Sequence, residues 1–435
     1  MFTTYQAALD WIHARLRLGI KPGLKRMEWM MERLGNPEKS SKAVHIGGTN
    51  GKGSTVTFLR SILQSNGYTV GTFTSPYIEE FNERISVNGA PIRDDELVQL
   101  TNIIRPLADE LEETALGGPT EFEVITAMAF YYFSKMRPVD IVLYEVGLGG
   151  RFDSTNIIFP HLSIITNIGL DHTNILGDTY EKIAFEKAGI IKKNTPIFTA
   201  VKRQDALKVI EEQAVKMKAP IFRINHEFTI DSYRPLERGE KFTLKPTYFP
   251  IIEEIEIGMI GQHQTENAAL AVMAANYLNE CCSFVMSQEK IKEGLKQAFW
   301  PGRFEILSEK PLVIIDGAHN DEGVTALVNE LSTRFGNKQI SIVFAAMQDK
   351  SLHNMVAKLD QIAHHITFVS FDYPRAAEAS TLYELSISQN KTLGKNWEKI
   401  ILNELKVMGK DHILVVTGSL YFISRAKPFL KNTLK

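Results

Sequence analysis

Cysteine is almost missing from this chain: there are two in 435 residues, and they are neighbours, Cys281 and Cys282. Adjacent Cα atoms lie about 3.8 Å apart, short of ordinary disulfide geometry. A disulfide-stapled secreted scaffold is therefore not expected, and the pair reads as buried thiols near a helix end. An excess of one charge is missing too. The 49 Lys and Arg against 51 Asp and Glu leave a net charge of −2, which gives no broad electrostatic footprint for nucleic acid or an anionic membrane. No apolar run approaches the roughly 20 residues that cross a bilayer. The amphipathic start MFTTYQAALDWIHARL also lacks the basic and apolar regions of a signal peptide. These absences predict a cytoplasmic protein acting on small anionic ligands, with neither nucleic acid nor membrane as a partner; a monomer is expected.

What the chain does have is glycine concentrated at one point. In SKAVHIGGTNGKGSTVTFLRSIL, residues 41–63, a strand pattern runs into Gly47, Gly48, Gly51 and Gly53 and then into an amphipathic helix. Glycines permit positive φ and close backbone approach, and a helix start offers free N–H groups and a positive dipole end to an anion. The segment reads as a phosphate cradle, with Lys52 reaching the β/γ-phosphates and the hydroxyl of Ser54 or Thr55 available to Mg²⁺. It is not a standard Walker A loop, because three residues rather than four separate Gly47 from Gly51 and a glycine stands between Lys52 and Ser54.

At this length two domains are expected. Residues 1–40 read as two helices joined by the turn GIKPG. Short apolar runs then alternate with helical patterns: KAVHIGG, YTVGTFT, DIVLYEVG, HLSIITNIG and TPIFTA. Such runs are typical of parallel strands covered on both faces, so the N-terminal part is predicted to be a doubly wound α/β ATPase domain containing the phosphate loop. Residues 218–260 alternate in short β-like stretches and read as a small β-rich extension. The punctuation WPGRFE near residue 300 marks the boundary, giving domains 1–298 and 299–435. Beyond it PLVIID, ISIVFAA, ITFVSF and HILVVTG predict a smaller Rossmann-like α/β domain without a GxGxxG fingerprint.

Phosphoryl transfer requires a metal, and Mg²⁺ takes oxygen ligands while keeping several waters. Candidates follow successive predicted strands: Ser75 in TSPYIEEFNERI, Glu145 in IVLYEVGLGG, and Asp171 with His172 after SIITNIGL. Singly, Ser75 reads as a turn residue, Glu145 as a surface ion-pair partner and His172 as a hydrogen-bonding residue beside a helix. Jointly, they stand where open parallel sheets bind ligands, at the carboxyl ends of strands.

GTNGKGS, TSPYIEEFNERI, EVGLGGRFDSTN, IGLDHTNILGDTYEKIAFEKAGIIK, GRFE, DGAHN and TGSLY, in this order, resemble the folylpolyglutamate synthase/dihydrofolate synthase branch of the Mur ligase superfamily, from about Lys21 to Tyr421. The departures are mild: Phe152 and Ser154 stand where leucine and alanine are common, and Tyr77 where histidine or phenylalanine is frequent. The resemblance implies that Asn50, Gly51, Lys52, Gly53 and Ser54 hold ATP phosphates, and that Ser75, Glu145 and His172 serve two Mg²⁺ sites. It also implies that Asn267, Arg303 and Asp316 contact ATP, that His319 positions glutamate or the phosphorylated intermediate, and that Ser419 supports that substrate region. Lys187, by pattern a solvated helix lysine, matches a position that relatives carry as an N-carboxylated (carbamylated) side chain. The GIKPG loop and Thr120-Glu121-Phe122-Glu123 are weaker candidates for contacts to a pterin.

The reaction so implied is ATP-dependent joining of L-glutamate to a folate γ-carboxyl through an acyl phosphate, with dihydropteroate open as a further acceptor. A monofunctional dihydrofolate synthase is the nearest alternative. A nucleotide-dependent switch protein is the distant one, disfavoured because a switch has no use for DGAHN and TGSLY in a second domain.

Overall fold

Continuous apolar runs become interior parallel strands, and their burial follows from cover on both faces. The computed structural model describes residues 1–434. β1 (Ala43–Gly47), β2 (Val70–Phe73), β3 (Ile85–Val87), β4 (Ala90–Pro91), β5 (Ile141–Glu145), β6 (Leu162–Ile165), β7 (Ile197–Thr199) and β8 (Ile221–Arg223) form one sheet, ordered β4-β3-β2-β5-β1-β6-β7-β8. From β2 to β8 all neighbours are parallel, while β3 and β4 finish one edge antiparallel. The register sets Ile46 beside Glu145 and Gly47 beside Ile165. The loops after β1, β2, β5 and β6 therefore leave from one rim, and β1 lies between strands reached in opposite directions, the usual place for a ligand crevice.

The two faces have separate cores. Phe58, Leu59 and Ile62 of the helix Lys52–Ser65 pack with the helix Gln262–Cys281 on one side. Ile125 and Met128 of the helix Glu121–Tyr131 join Tyr132 and Phe133 on the other. All are fully buried or nearly so, and each such side chain contributes about 1.5–3 kcal/mol of transfer free energy. A two-sided core of this kind fixes the register of β1, and with it the position of the loop that follows.

The region read as a β-rich extension divides. Ile221–Arg223 pairs parallel with β7 and is the last strand of the main sheet, so IFRINHEFTI is not one unit. The remainder is a three-stranded antiparallel sheet of β9 (Phe228–Pro235), β10 (Glu240–Pro246) and β11 (Ile252–Ile257). Phe228, Phe242 and Leu244 send their apolar face into the first core. The cysteines also differ from expectation: Cys281 is exposed and Cys282 half-buried, because the buried stretch of their helix ends at Leu278.

β12 (Glu305–Glu309), β13 (Leu312–Asp316), β14 (Gln339–Phe344), β15 (His365–Val369), β16 (Lys391–Gly394) and β17 (His412–Thr417) make the second sheet, ordered β12-β13-β17-β14-β15-β16. Only β12 is antiparallel. Apolar cores again cover both faces. Among the described residues, no helix is long and apolar enough to cross a membrane.

Candidate active site at the facing strand ends

The turn from β1 into the helix Lys52–Ser65 is built around positions where a Cβ has no room. Gly51 caps the helix with φ 83° and no side chain caps it in turn. A Cβ at Gly51 would overlap the Asn267 amide, one at Gly48 would overlap Thr166 Oγ1, and one at Gly53 would lie 2.9 Å from Trp300 Nε1. The loop is also tied down by hydrogen bonds. Thr49 N donates to Asn167 O at 3.0 Å and Asn50 N to Asn167 Oδ1 at 2.8 Å. Thr166 Oγ1 donates to Asn50 O at 2.6 Å. A glycine-lined, pre-formed loop with an uncapped helix start offers free N–H groups of the kind an anion takes up. Ser54 lines the cleft, whereas Thr55 is fully buried with an unpartnered hydroxyl.

Two lysines meet under this loop. Lys52 Nζ donates to the carbonyls of Gly48 and Thr49, both at 3.1 Å, and Lys187 Nζ donates to the same Gly48 carbonyl at 2.9 Å. The expectation of a solvated Lys187 is thereby corrected: it is 5% exposed, held inside by the helix Tyr180–Ala188. Burial, reinforced by the Lys52 charge, pushes its amine down to about 7.

Glu145 is buried as well, rather than part of a surface ion pair. Burial pushes its carboxyl up to about 7 against the pull of Lys52. Ser75 N donates to its Oε2 at 3.4 Å, which leaves a buried carboxylate short of partners and suited to a cation. His172 adopts the left-handed conformation with φ 52° at the start of a short helix and is partly exposed. Among the described residues, no three His, Cys, Asp or Glu side chains gather as a ready-made ligand set. Any Mg²⁺ here would lean on hydroxyl, phosphate and water oxygens, as that ion commonly does.

From the second sheet, Asp316 ends β13. Its oxygens accept from Phe304 N at 2.7 Å and Ala318 N at 2.8 Å, and burial pushes its carboxyl up while Arg303 opposes. His319 Nδ1 lies 2.8 Å from Gly317 O. That contact makes Nδ1 the donor and leaves Nε2 as an acceptor facing the cleft. Asn50, Gly51, Ser54, Asn267, Arg303, Asp316 and His319 line one cleft. Ser419 does not join them: its hydroxyl accepts from Tyr421 N at 3.2 Å and caps the helix Leu420–Thr433.

Residues 114–275 match the Mur ligase middle domain, and residues 302–420 match the Mur ligase glutamate ligase domain. The dihydrofolate synthase/folylpolyglutamate synthase of Bacillus subtilis (strain 168) is 51% identical over 99% of this chain and 100% of its own length. The chain belongs to the folylpolyglutamate synthase/dihydrofolate synthase family of Mur ligases. Among solved structures, the Mycobacterium tuberculosis folylpolyglutamate synthase complexed with ADP and AMPPCP superposes with a TM-score of 0.88 at 28% identity, covering 98% of each chain. An FPGS–AMPPCP–folate complex superposes at 0.83 with 30% identity, covering 100% of each chain.

Within this family framework the two sheets meet through a polar junction that the sequence reading only half located. Asp171, 8% exposed, accepts from Asn320 Nδ2 at 3.1 Å and pairs with Lys350, and His319 Nε2 stands 3.8 Å away. Asn50 and Asn320 exchange amide hydrogen bonds at 3.2 and 2.9 Å. Leu170 N donates to Glu322 Oε1 at 3.1 Å. Lys350 was missed, yet its signal was present, since MQDK follows the strand run ISIVF. The two weaker pterin candidates are tied together: Arg26 Nε bonds Glu123 at 2.9 Å and its Nη2 bonds the Lys21 carbonyl at 2.7 Å.

Burial pushes the Asp171 carboxyl up, but Lys350, His172 and His319 outweigh it and hold the group well below the ordinary carboxylate range. A depressed folded value adds stability above the unfolded value, about pH 4, and loses it as pH falls further. Asp171→Asn, which strands a buried Lys350 amine, is expected to cost about 3 kcal/mol at neutral pH. The Tm gap from wild type should then narrow as pH falls below about 4. A gap that stays constant through the acid range would remove the ion pair from the argument.

Proposed function

We propose that the chain uses ATP to phosphorylate the γ-carboxyl of a folate's glutamate tail and joins the resulting acyl phosphate to the α-amine of L-glutamate, with the carboxyl of dihydropteroate as a second acceptor. The observation that carries this reading is the meeting, at one cleft, of an uncapped glycine loop on the first sheet and Asp316 and His319 on the second. A carboxylate oxygen attacks the γ-phosphorus and ADP leaves. The amine nitrogen then attacks the acyl carbon, the C–O bond to phosphate breaks, and the amine proton is released as the amide forms.

In this reading Asn50, Gly51, Lys52, Gly53 and Ser54 cradle the phosphates, and Asn267, Arg303 and Asp316 hold the rest of the nucleotide. Lys52 and Arg303 offset charge on the transferring phosphoryl group. Burial keeps the His319 imidazole neutral, and its free Nε2 can accept a hydrogen bond from the glutamate amine and orient it. Ser419 acts one step removed, by fixing the helix start beside that substrate. Ser75, Glu145 and His172 would hold Mg²⁺ at two sites. Hydroxyl and carboxylate oxygens suit this ion and the underpartnered Glu145 carboxylate calls for it, though imidazole is a less usual donor. When bound, the ion supplies neutralisation of phosphate oxygens. Lys187 is read as carbamylated, supported by its buried, readily deprotonated amine.

We place the domain boundary at 298/299, so that glutamate is delivered from residues 299–435 to nucleotide held by residues 1–298. Closure of such a cleft protects an acyl phosphate from water. We also take the enzyme as a cytoplasmic monomer. Product mass spectrometry tests the whole reading. Purified protein is given ATP, Mg²⁺ and glutamate with tetrahydrofolate or dihydropteroate in separate reactions. Glutamyl additions to tetrahydrofolate are expected, with dihydrofolate from the second reaction. ADP release with no glutamylated product from either acceptor would refute it.

A further inference from the structure

We propose that Arg84, Arg375 and Arg425, gathered around Tyr77, Tyr373 and Tyr421, form a subsite for the α-carboxylates of the acceptor's glutamate tail. The proposal rests on the ligase reading above and specifies how that site recognises an oligoanionic chain.

The cluster sits on the same facing strand ends as the cleft. Tyr77 lies two residues after Ser75, and Tyr421 two residues after Ser419. Tyr373 follows β15, and Arg375 is anchored to the Lys350 segment, its carbonyl accepting from Gln348 N at 2.9 Å. Ile78, Leu420 and Ile423 form a small buried apolar cluster that joins the two sheets' loops at this point.

Aromatic surface and unused cationic donors coincide here. Tyr373 and Tyr421 stack with ring centroids 4.3 Å apart, and the Arg84 guanidinium lies 5.4 Å from the Tyr77 ring and 5.2 Å from Phe81. Arg84 Nη1 bonds Glu121 at 2.9 Å, but its Nε is buried without a partner. Arg375 and Arg425 are about half exposed. Their nearest carboxylates, Asp349 and Asp372, stand off at 3.9 Å in each case, and Asp372 is fully exposed. Arg425 follows Tyr421 by one turn of the helix Leu420–Thr433, and Arg375 follows Tyr373 by two residues. Three cations with incomplete pairing, facing phenol hydroxyls and ring faces, are suited to carboxylates on aliphatic stems. The planar fork takes a carboxylate bidentately, and the rings cover methylene groups.

Position gives the ligand its direction. An acceptor whose terminal γ-carboxyl sits at the phosphates must run its preceding glutamyl residues away from Ser75. Arg84 bonds Glu121 in the segment read as a pterin contact, and the proposed subsite runs the tail past it. Each γ-linked residue of that tail carries one free α-carboxylate, whereas dihydropteroate carries none.

The test is the Arg375→Gln/Arg425→Gln double variant, whose replaced side chains are exposed enough to leave folding intact, checked by its Tm. Values of kcat/KM are compared for tetrahydrofolate with one and with three glutamates, together with calorimetric binding of the triglutamate. Losing charge-assisted contacts should lower the triglutamate-to-monoglutamate ratio about tenfold or more and weaken triglutamate binding in step, with KM for free glutamate unchanged. Arg→Lys replacements should recover part of the loss. An unchanged ratio, or an equal loss on both acceptors, would overturn the subsite while leaving the ligase reading standing. A wild-type enzyme that glutamylates neither acceptor would instead remove the ligase reading, and the subsite with it.

Discussion

Lys52→Ala is expected to abolish ligation, lowering it by at least about 10²–10³-fold, in a protein that still folds. Burial pushes the Lys52 amine below its ordinary range, while the negative charges of Glu145 and Asp171 draw it back up. Those two carboxyl groups thus oppose the loss of charge from the amine beside the loop, where phosphate charge must be offset. No neighbour can substitute for it: Lys187 is buried and half-neutralised, and Arg303 approaches from the second sheet's side. The fold should tolerate the change because the Gly48 carbonyl keeps its bond from Lys187, and only Thr49 O loses its lysine donor. That loss costs about 1 kcal/mol. Ligation rate and thermal melting measured on one preparation check both halves, and near-normal turnover in the folded variant would sink the phosphate-loop assignment.

Lys187→Ala is expected to be nearly as damaging, through different chemistry. A free lysine titrates near 10.4 and is almost wholly protonated at neutral pH, but this amine is held down to about 7 by burial and then by Lys52. Roughly half of it is then neutral at pH 7. A neutral amine can attack CO₂, forming an N–C bond and releasing a proton, and the resulting carbamate places a negative charge beside Lys52. Activity should fall in decarbonated buffer and return with bicarbonate. The dependence on bicarbonate should steepen as pH drops below about 7, because protonation of the amine rises there. In Lys187→Ala, acetate should restore part of the rate by filling the vacated carboxylate position. Full activity in that variant would rule out an essential role, and wild-type activity indifferent to bicarbonate would rule out the carbamate.

The glycine turn after β1, both largely parallel sheets and the placement of Ser75, Glu145 and Asp171 after strands were legible because strand runs, glycine spacing and a polar residue after a strand are local signals. Arg303, Asn267 and Lys187 were nameable only by resemblance, since a linker arginine, a helix amide and a helix lysine acquire their meaning from what folds onto them. Lys187 shows this most clearly: nothing within EKAGIIK reports that Gly48, more than a hundred residues earlier, will receive its amine. Burial of a charged side chain is a long-range fact, as is the pKa shift that follows from it. Lys350 is a different case, since the strand-end rule applied to the first sheet would also have found it on the second. The split of residues 218–260 between two sheets was illegible because a three-residue edge strand carries too little pattern to show which sheet it will extend.

The Asn50–Asn320 amide pair has a consequence for how the enzyme spends nucleotide. Asn320 caps the helix Asp321–Phe335, its Oδ1 accepting from Gly323 N at 2.9 Å, while the same side chain grips the phosphate loop through Asn50. A movement of the loop must therefore either carry that helix start along or give up the amide exchange. Under the proposed function, occupancy of the phosphate side and occupancy of the amino-acid side therefore share a free-energy term at this amide pair, and linkage makes such a term reciprocal.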